Sequence, residues 1–278
     1  MAMLKVGTEN STAIEIDYED HGSGPAVVLV HGWPLNGASW EKQTAALLDA
    51  GYRVITYDRR GFGESSQPAA GYDYDTMAAD LHTLVEHLDL KDAALFGFSM
   101  AGGEVARYLG KYGTKRFKKA GFLGSIAPAL GKTDDNPEGV PKDVFEGVKA
   151  GLRKDRGSFL KGFFDNFYNA DVMQPAGRVT DEAKHWSWVL GMKASFAGIV
   201  NCVDAWQTDL REDVKKIDIP VLVVHGSADR IVPIEHSGAR MSALLQKPTY
   251  HVLQDAPHGF LLTHADDASR LLIDFLKA

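Results

Sequence analysis

A mostly parallel α/β sheet with helices on both faces is the fold that this 278-residue chain predicts. Three observations carry it. Short β-branched runs alternate with longer amphipathic segments, early in the chain and again near its end. A serine, Ser99, sits where an apolar run meets a helical segment, between Gly97 and Ala101. An aspartate and a histidine follow two later strands, on the loops where such a sheet keeps its functional groups.

Taken in order, Pro25–Val30 reads as a buried strand ending at His31-Gly32, and Tyr52–Tyr57 as another ending at Asp58-Arg-Arg-Gly61. Between them Ser39–Leu48 has helical spacing and stops before Gly51. Thr76–Leu90 is helical, with Met77, Leu81, Leu84, Val85 and Leu88 on one stripe. The apolar run Ala93–Phe96 leads to Ser99, followed by a helix over Gly102–Tyr112 and a strand over Ala120–Gly124. The alternation resumes with a strand at Pro220–Val224, a helix at Ile234–Leu245, a strand at Tyr250–Leu253 and a closing helix at Ala265–Leu276.

Residues 128–216 break the pattern. They offer no convincing strand, and Phe145, Phe159, Phe163, Phe164, Phe167, Tyr168, Trp186, Trp188, Phe196 and Trp206 crowd into helical stretches. Some of these aromatics must form an internal core, and the excess predicts a lid that helps to enclose an apolar pocket. The expected organisation is therefore a core of residues 1–127 and 217–278 carrying a helical cap, 128–216.

Composition narrows the function classes. At 45% hydrophobic and 24% charged the chain can bury a sizeable core, and its net charge of -7 is spread without a basic stripe. Nucleic acid is not an expected partner. The longest apolar runs, such as Ala26–Val30, are too short to span a bilayer, so no membrane association is expected. The opening Met1–Val6 lacks the apolar stretch of a secretory signal. A single cysteine, Cys202, allows no internal disulfide and fits a reducing, cytoplasmic setting. It lies in the apolar stretch Ile199–Val203 and reads as a small buried hydrophobe. The histidines are scattered, and His82 and His87 are too far apart to share a helix face, so no metal site is expected.

The chemistry rests on three residues. A serine hydroxyl needs a base within hydrogen-bond reach, and that base needs an orienting group. Ser99 lies on a strand-to-helix turn whose Gly-x-Ser-x-Ala sequence departs at Ala101 from the usual terminal glycine. Asp229 follows the strand 220–224, and His258 follows the strand 250–253. The order serine, aspartate, histidine is the one that an α/β-hydrolase architecture uses. The competitors fit less well. His251 lies within its strand, His264 opens the last helix, Asp255 suits a local turn bond and Asp218 lies at the wrong end of the sheet. Acyl transfer also needs backbone donors for the oxyanion, and Met100 and Trp33 supply the expected N–H groups. Pro34 has no N–H and biases Trp33 towards an extended form. It either directs the Trp33 carbonyl into the site, beside the acyl group, or only shapes a turn.

These residues make the chain similar to the α/β-hydrolase superfamily. More closely it resembles the cofactor-free haloperoxidases, or perhydrolases, with their relatives among aryl esterases and γ-lactamases. The resemblance runs nearly end to end. It includes His31-Gly-Trp-Pro-Leu35, Tyr57–Ser66, Gly71–Thr76, Phe98–Tyr108, Asp134–Pro141, Phe164–Tyr168, His225-Gly-Ser-Ala-Asp229 and Ala256-Pro-His-Gly259. It implies a metal-free, cofactor-free serine hydrolase that cleaves small carboxylic esters through an acyl-enzyme. Ser99 is then the nucleophile, His258 the base and Asp229 the orienting acid, with Trp33 and Pro34 at the substrate. Water would release the acid, or hydrogen peroxide a peracid able to oxidise halide. The implied partners are a small ester, carboxylic acid or lactam, hydrogen peroxide, and further copies of the chain in a homo-oligomer. An amidase or γ-lactamase with the same triad, and a triad-bearing ligand sensor, are the alternative readings. The Asp58 stretch is expected to be an ion-pair scaffold.

Overall fold

The computed structural model describes residues 2–278. An antiparallel hairpin opens it, β1 (Ala2–Glu9) and β2 (Thr12–His21). Its two-residue turn, Asn10-Ser11, has φ of 47° and 68°, the mirror-image turn that suits the twist of paired strands. This hairpin lies outside the expected alternation. β1 is an edge strand with exposed and half-buried positions only, so it leaves no apolar run in the sequence.

Next come β3 (Ala26–Val30), α1 (Glu41–Asp49), β4 (Arg53–Tyr57), α2 (Tyr74–His87), β5 (Ala93–Phe98), α3 (Ala101–Tyr112) and β6 (Phe117–Leu123). Each expected element is present, with shifted ends. α2 starts before Thr76 because Asp73 is its cap, accepting the Thr76 N–H at 2.9 Å. The segment around Ser39 opens as a 3-10 turn, Gly37–Trp40, capped by Asn36, before α1 begins.

The stretch between β6 and the next strand holds α4 (Lys142–Phe167), α5 (Ala170–Met173), α6 (Asp181–Met192), α7 (Phe196–Ala205) and α8 (Arg211–Val214). Among the described residues it contains isolated bridges but no strand. α4 breaks at Asp155, whose φ of -162° leaves the helical region and whose carboxylate caps the second half at the Ser158 N–H. The chain returns with β7 (Val221–Gly226), α9 (Gly238–Leu244), β8 (Pro248–Leu253), α10 (Phe260–Thr263) and α11 (Ala265–Lys277). The helix expected over Ile234–Leu245 is a 3-10 turn followed by α9. Ser237 interrupts it, because its hydroxyl turns away to donate to the Ser125 and Ala127 carbonyls.

All eight strands form one sheet in the order β1-β2-β4-β3-β5-β6-β7-β8. β1, β2 and β4 pair antiparallel, and β4 through β8 run parallel. β5 and β7 are buried at every position, as parallel strands covered on both faces must be. α1 packs with α11, whereas α2, α3 and α8 form a separate group. β3 lies between β4 and β5, so the loops leaving β3 and β5 diverge from neighbouring strand ends. That topological switch point is the crevice where an open α/β sheet binds ligands. Among the described residues, no helix is long and apolar enough to cross a membrane.

Candidate active site

Ser99 stands at the end of β5 with φ of 55°, a left-handed conformation that costs a non-glycine residue about 1–2 kcal/mol. Its surroundings over-determine that turn. The Ser99 N–H donates to Leu123 O at 2.8 Å, and its carbonyl accepts from Gly102 N and Ile126 N. Glycines make the crowding tolerable. A Cβ on Gly97 would sit 2.7 Å from Ala101 O, and one on Gly32 would sit 3.0 Å from Ser99 Cβ. A close helix–strand approach at the elbow therefore falls at Gly97. Ala101 itself is fully buried as the first residue of α3, and its methyl is accommodated there.

Asp229 and His258 come to Ser99 from the loops after β7 and β8. His258 Nδ1 donates to Asp229 Oδ2 at 2.6 Å, and Ser99 Oγ donates to His258 Nε2 at 2.8 Å. The carboxylate acceptor fixes the tautomer, which leaves Nε2 free to accept the hydroxyl proton. The other Asp229 oxygen accepts from Ile231 N and Val232 N at 2.9 and 2.8 Å. Burial alone would raise the Asp229 carboxyl, but the His258 charge and the His225 and His258 hydrogen bonds hold it well below the usual carboxylate range. Ser99 is 6% exposed and His258 is fully buried, its ring wedged between Phe98 and Phe167.

The Trp33 and Met100 amides lie on the loops leaving β3 and β5, at the switch point. Among the described residues, no protein group accepts either N–H. Met100 O, by contrast, accepts from Gly103 N and from the Tyr74 hydroxyl at 3.0 Å, which holds the peptide between Met100 and Ala101. The Trp33 indole N–H donates to Ile199 O at 2.9 Å on α7, and its ring meets Phe163 and Trp206 edge-on. Pro34 is buried with its ring against Gly191 of α6. The Trp33–Pro34 peptide is cis.

A buried charged network braces the loops leaving β3 and β5. Arg59 Nη2 donates to His31 O at 3.0 Å and Arg59 N to His31 Nε2 at 3.0 Å. The same guanidinium pairs with Glu104 on α3 at 2.7 Å, and Tyr57 donates to the other Glu104 oxygen. Arg60 forms a bidentate pair with Asp80, and Asp58 accepts from Gly37 N and Glu64 N. The ion-pair scaffold expected of the Asp58 stretch is thus present, and one branch ties the β3 loop to the serine helix.

The competing residues are engaged elsewhere. His264 Nδ1 pairs with the Thr263 hydroxyl, and Asp218 accepts from Thr114. Asp255 is exposed, and the local turn bond expected of its carboxylate is absent among the described residues; its backbone N–H donates instead to Ser227 Oγ on the loop after β7. Burial pushes the Cys202 thiol up to about 12, so it is no nucleophile at neutral pH. One neighbour was given no role by the sequence. His225 is fully buried with Nε2 3.3 Å from Asp229 Oδ2, and its sequence signal is its place in the His225-Gly-Ser-Ala-Asp229 stretch.

A family model described as alpha/beta hydrolase fold matches residues 25–265. The chain is 43% identical over 267 residues to a non-heme chloroperoxidase of Kitasatospora aureofaciens, covering 95% of this chain and 96% of that one. It is 35% identical to a bifunctional esterase/perhydrolase of Acinetobacter calcoaceticus, with 95% and 97% covered. The crystal structure of a bromoperoxidase from Bacillus anthracis superposes with a TM-score of 0.95 at 46% identity, covering 100% of this chain and 99% of that one.

Proposed function

The chain belongs to the α/β-hydrolase fold family, and from that premise we propose a serine hydrolase that cleaves small carboxylic esters and uses hydrogen peroxide as an alternative acyl acceptor. The observation that carries this reading is the relay from Asp229 through His258 to a serine held at φ of 55°. The similarity to a chloroperoxidase and to an esterase/perhydrolase supports the pairing of the two activities.

In the first half-reaction Ser99 Oγ bonds to the ester carbonyl carbon while its proton passes to His258 Nε2. The carbonyl oxygen gains the charge, and the unengaged Trp33 and Met100 amides are the donors that would receive it. The tetrahedral adduct collapses, and the alcohol leaves with the proton from His258. Water then attacks the acyl-enzyme, giving its proton to His258, and the acid departs as Ser99 recovers its hydrogen. Hydrogen peroxide in the same place yields a peracid, which oxidises halide in solution. Asp229 stays ionised throughout and stabilises the imidazolium.

We read residues 128–216 as a cap and Trp33 and Pro34 as the acyl-side wall, since cap aromatics Phe163 and Trp206 close against Trp33. A reducing, cytoplasmic setting fits a chain with one buried thiol. The test compares wild type with Ser99→Ala on p-nitrophenyl acetate, and on acetate plus peroxide with bromide and a halogenation reporter. Both activities should be lost together, by about 10³-fold or more. Loss of one alone would refute the shared acyl-enzyme.

A further inference from the structure

His225 is the penultimate residue of β7, four residues before Asp229, and its imidazole approaches the same carboxylate oxygen that His258 bonds. Its Nε2 sits 2.8 Å from the Val232 carbonyl oxygen and 3.3 Å from Asp229 Oδ2. A carbonyl can only accept, so Nε2 carries the proton and donates it to Val232 O, with Asp229 Oδ2 a longer contact beside it. Among the described residues Nδ1 has no partner, and it faces α9, where a Cβ on Gly238 would lie 2.8 Å from it. The neutral Nε2–H tautomer satisfies this arrangement, whereas an imidazolium would leave a second N–H unpaired in the interior. The titratable groups around the ring are Asp229 and, beyond it, His258.

We propose that His225 is a positioning residue for the acid of the triad, holding the Asp229 carboxylate in the plane that His258 needs and sharing its negative charge. The proposal rests on the serine-hydrolase reading above. Two effects follow from the geometry. The Nε2–H anchors the Val232 carbonyl, in the residue whose own N–H donates to Asp229 Oδ1. Its electropositive edge also lies 3.3 Å from Oδ2, beside the His258 bond there, while Ile231 N and Val232 N fill Oδ1. With those directions filled, rotation of the carboxylate costs hydrogen bonds at both oxygens. Without His225, Oδ2 loses that electropositive neighbour and Val232 loses its anchor, so the carboxylate carries more negative charge and holds the protonated form of His258 more tightly.

The test measures kcat, KM and the pH dependence of kcat/KM for p-nitrophenyl acetate in wild type, His225→Leu, His225→Gln and His225→Asn. Wild-type turnover itself checks the underlying reading, so failure there is distinct from failure of the proposal. His225→Leu should lower kcat by about 10- to 100-fold, the loss expected for a hydrogen bond to a charged group. KM should stay near wild type, and the acid limb of the profile should move to higher pH. His225→Gln, whose amide reaches the Nε2 position, should recover most of kcat, and the shorter His225→Asn should not. Should His225→Leu fail to fold, the contrast between the Gln and Asn variants carries the test. Equal kinetics in those two, or an acid limb unmoved in every impaired variant, would overturn the proposal and leave His225 a packing residue.

Discussion

At the residue scale the catalytic reading turns on how few atoms can change. Asp229 is held ionised by His258 and His225 against the cost of burial, so its substitution tests orientation rather than charge alone. Asp229→Asn should keep the fold and lower kcat by about 10⁴-fold, because an amide favours the wrong imidazole tautomer. Steady-state kinetics on p-nitrophenyl acetate checks it, and a loss under tenfold would remove Asp229 from the mechanism. The elbow supplies a contrast. Gly97→Ala forces a Cβ to within 2.7 Å of Ala101 O and should disturb the Ser99 turn, lowering kcat. Ala101→Gly removes only a buried methyl from the first turn of α3, and should cost about 1 kcal/mol of stability with kcat little changed. Paired denaturation and kinetic measurements separate the two, and the reverse pattern would place the critical approach at residue 101.

At the element scale the two proposed oxyanion donors, Trp33 and Met100, arrive on different strands, β3 and β5, and something must keep them in register. Arg59 does so by bonding both the His31 carbonyl and Glu104 on α3. The arrangement needs a neutral His31, since its Nε2 accepts the Arg59 N–H. Burial, and then the Arg59 charge, holds this imidazole well below its ordinary 6.5. The unfolded chain therefore binds a proton below about pH 6.5 that the folded protein refuses, and stability falls as pH drops through that value. His31→Gln abolishes that contribution. Its urea midpoint should change less than wild type between about pH 7.5 and about pH 5.5, and an equal change would exonerate His31. This brace was only partly readable in advance. The Asp58–Gly61 cluster announced charges at a strand end, but which partners they meet depends on α2 and α3 lying side by side.

At the scale of the whole molecule, strand order brings loops from across the chain to one crevice. Ser99 and Asp229 were legible because each follows a buried, strongly apolar strand. His258 follows a half-exposed edge strand, legible from the short run Tyr250–Leu253, and the sheet places all three loops on one edge. The hairpin β1–β2 was not legible, because a half-exposed edge has no need of an apolar run; the Asn10-Ser11 turn was its clearest trace. His225 stayed hidden for a different reason, since its role exists only once Val232 and Asp229 fold back on it. The aromatic excess in 128–216 divides in space. Phe145 and Phe164 are internal core, Trp186 and Phe196 are exposed, and Phe163 and Trp206 meet Trp33. If those last two bound the acyl site, Trp206→Ala should raise kcat/KM for an octanoate ester relative to acetate by about tenfold or more. An unchanged ratio would show that the acyl group lies elsewhere.

The central claim is that one acyl-enzyme on Ser99 serves both water and hydrogen peroxide. Mass spectrometry of protein quenched during p-nitrophenyl acetate turnover tests it most directly, with and without peroxide. The account predicts a single acetyl group on the peptide carrying Ser99, lost faster when peroxide is present and absent in Ser99→Ala. An acetyl group on another residue, or one whose decay ignores peroxide, would contradict it.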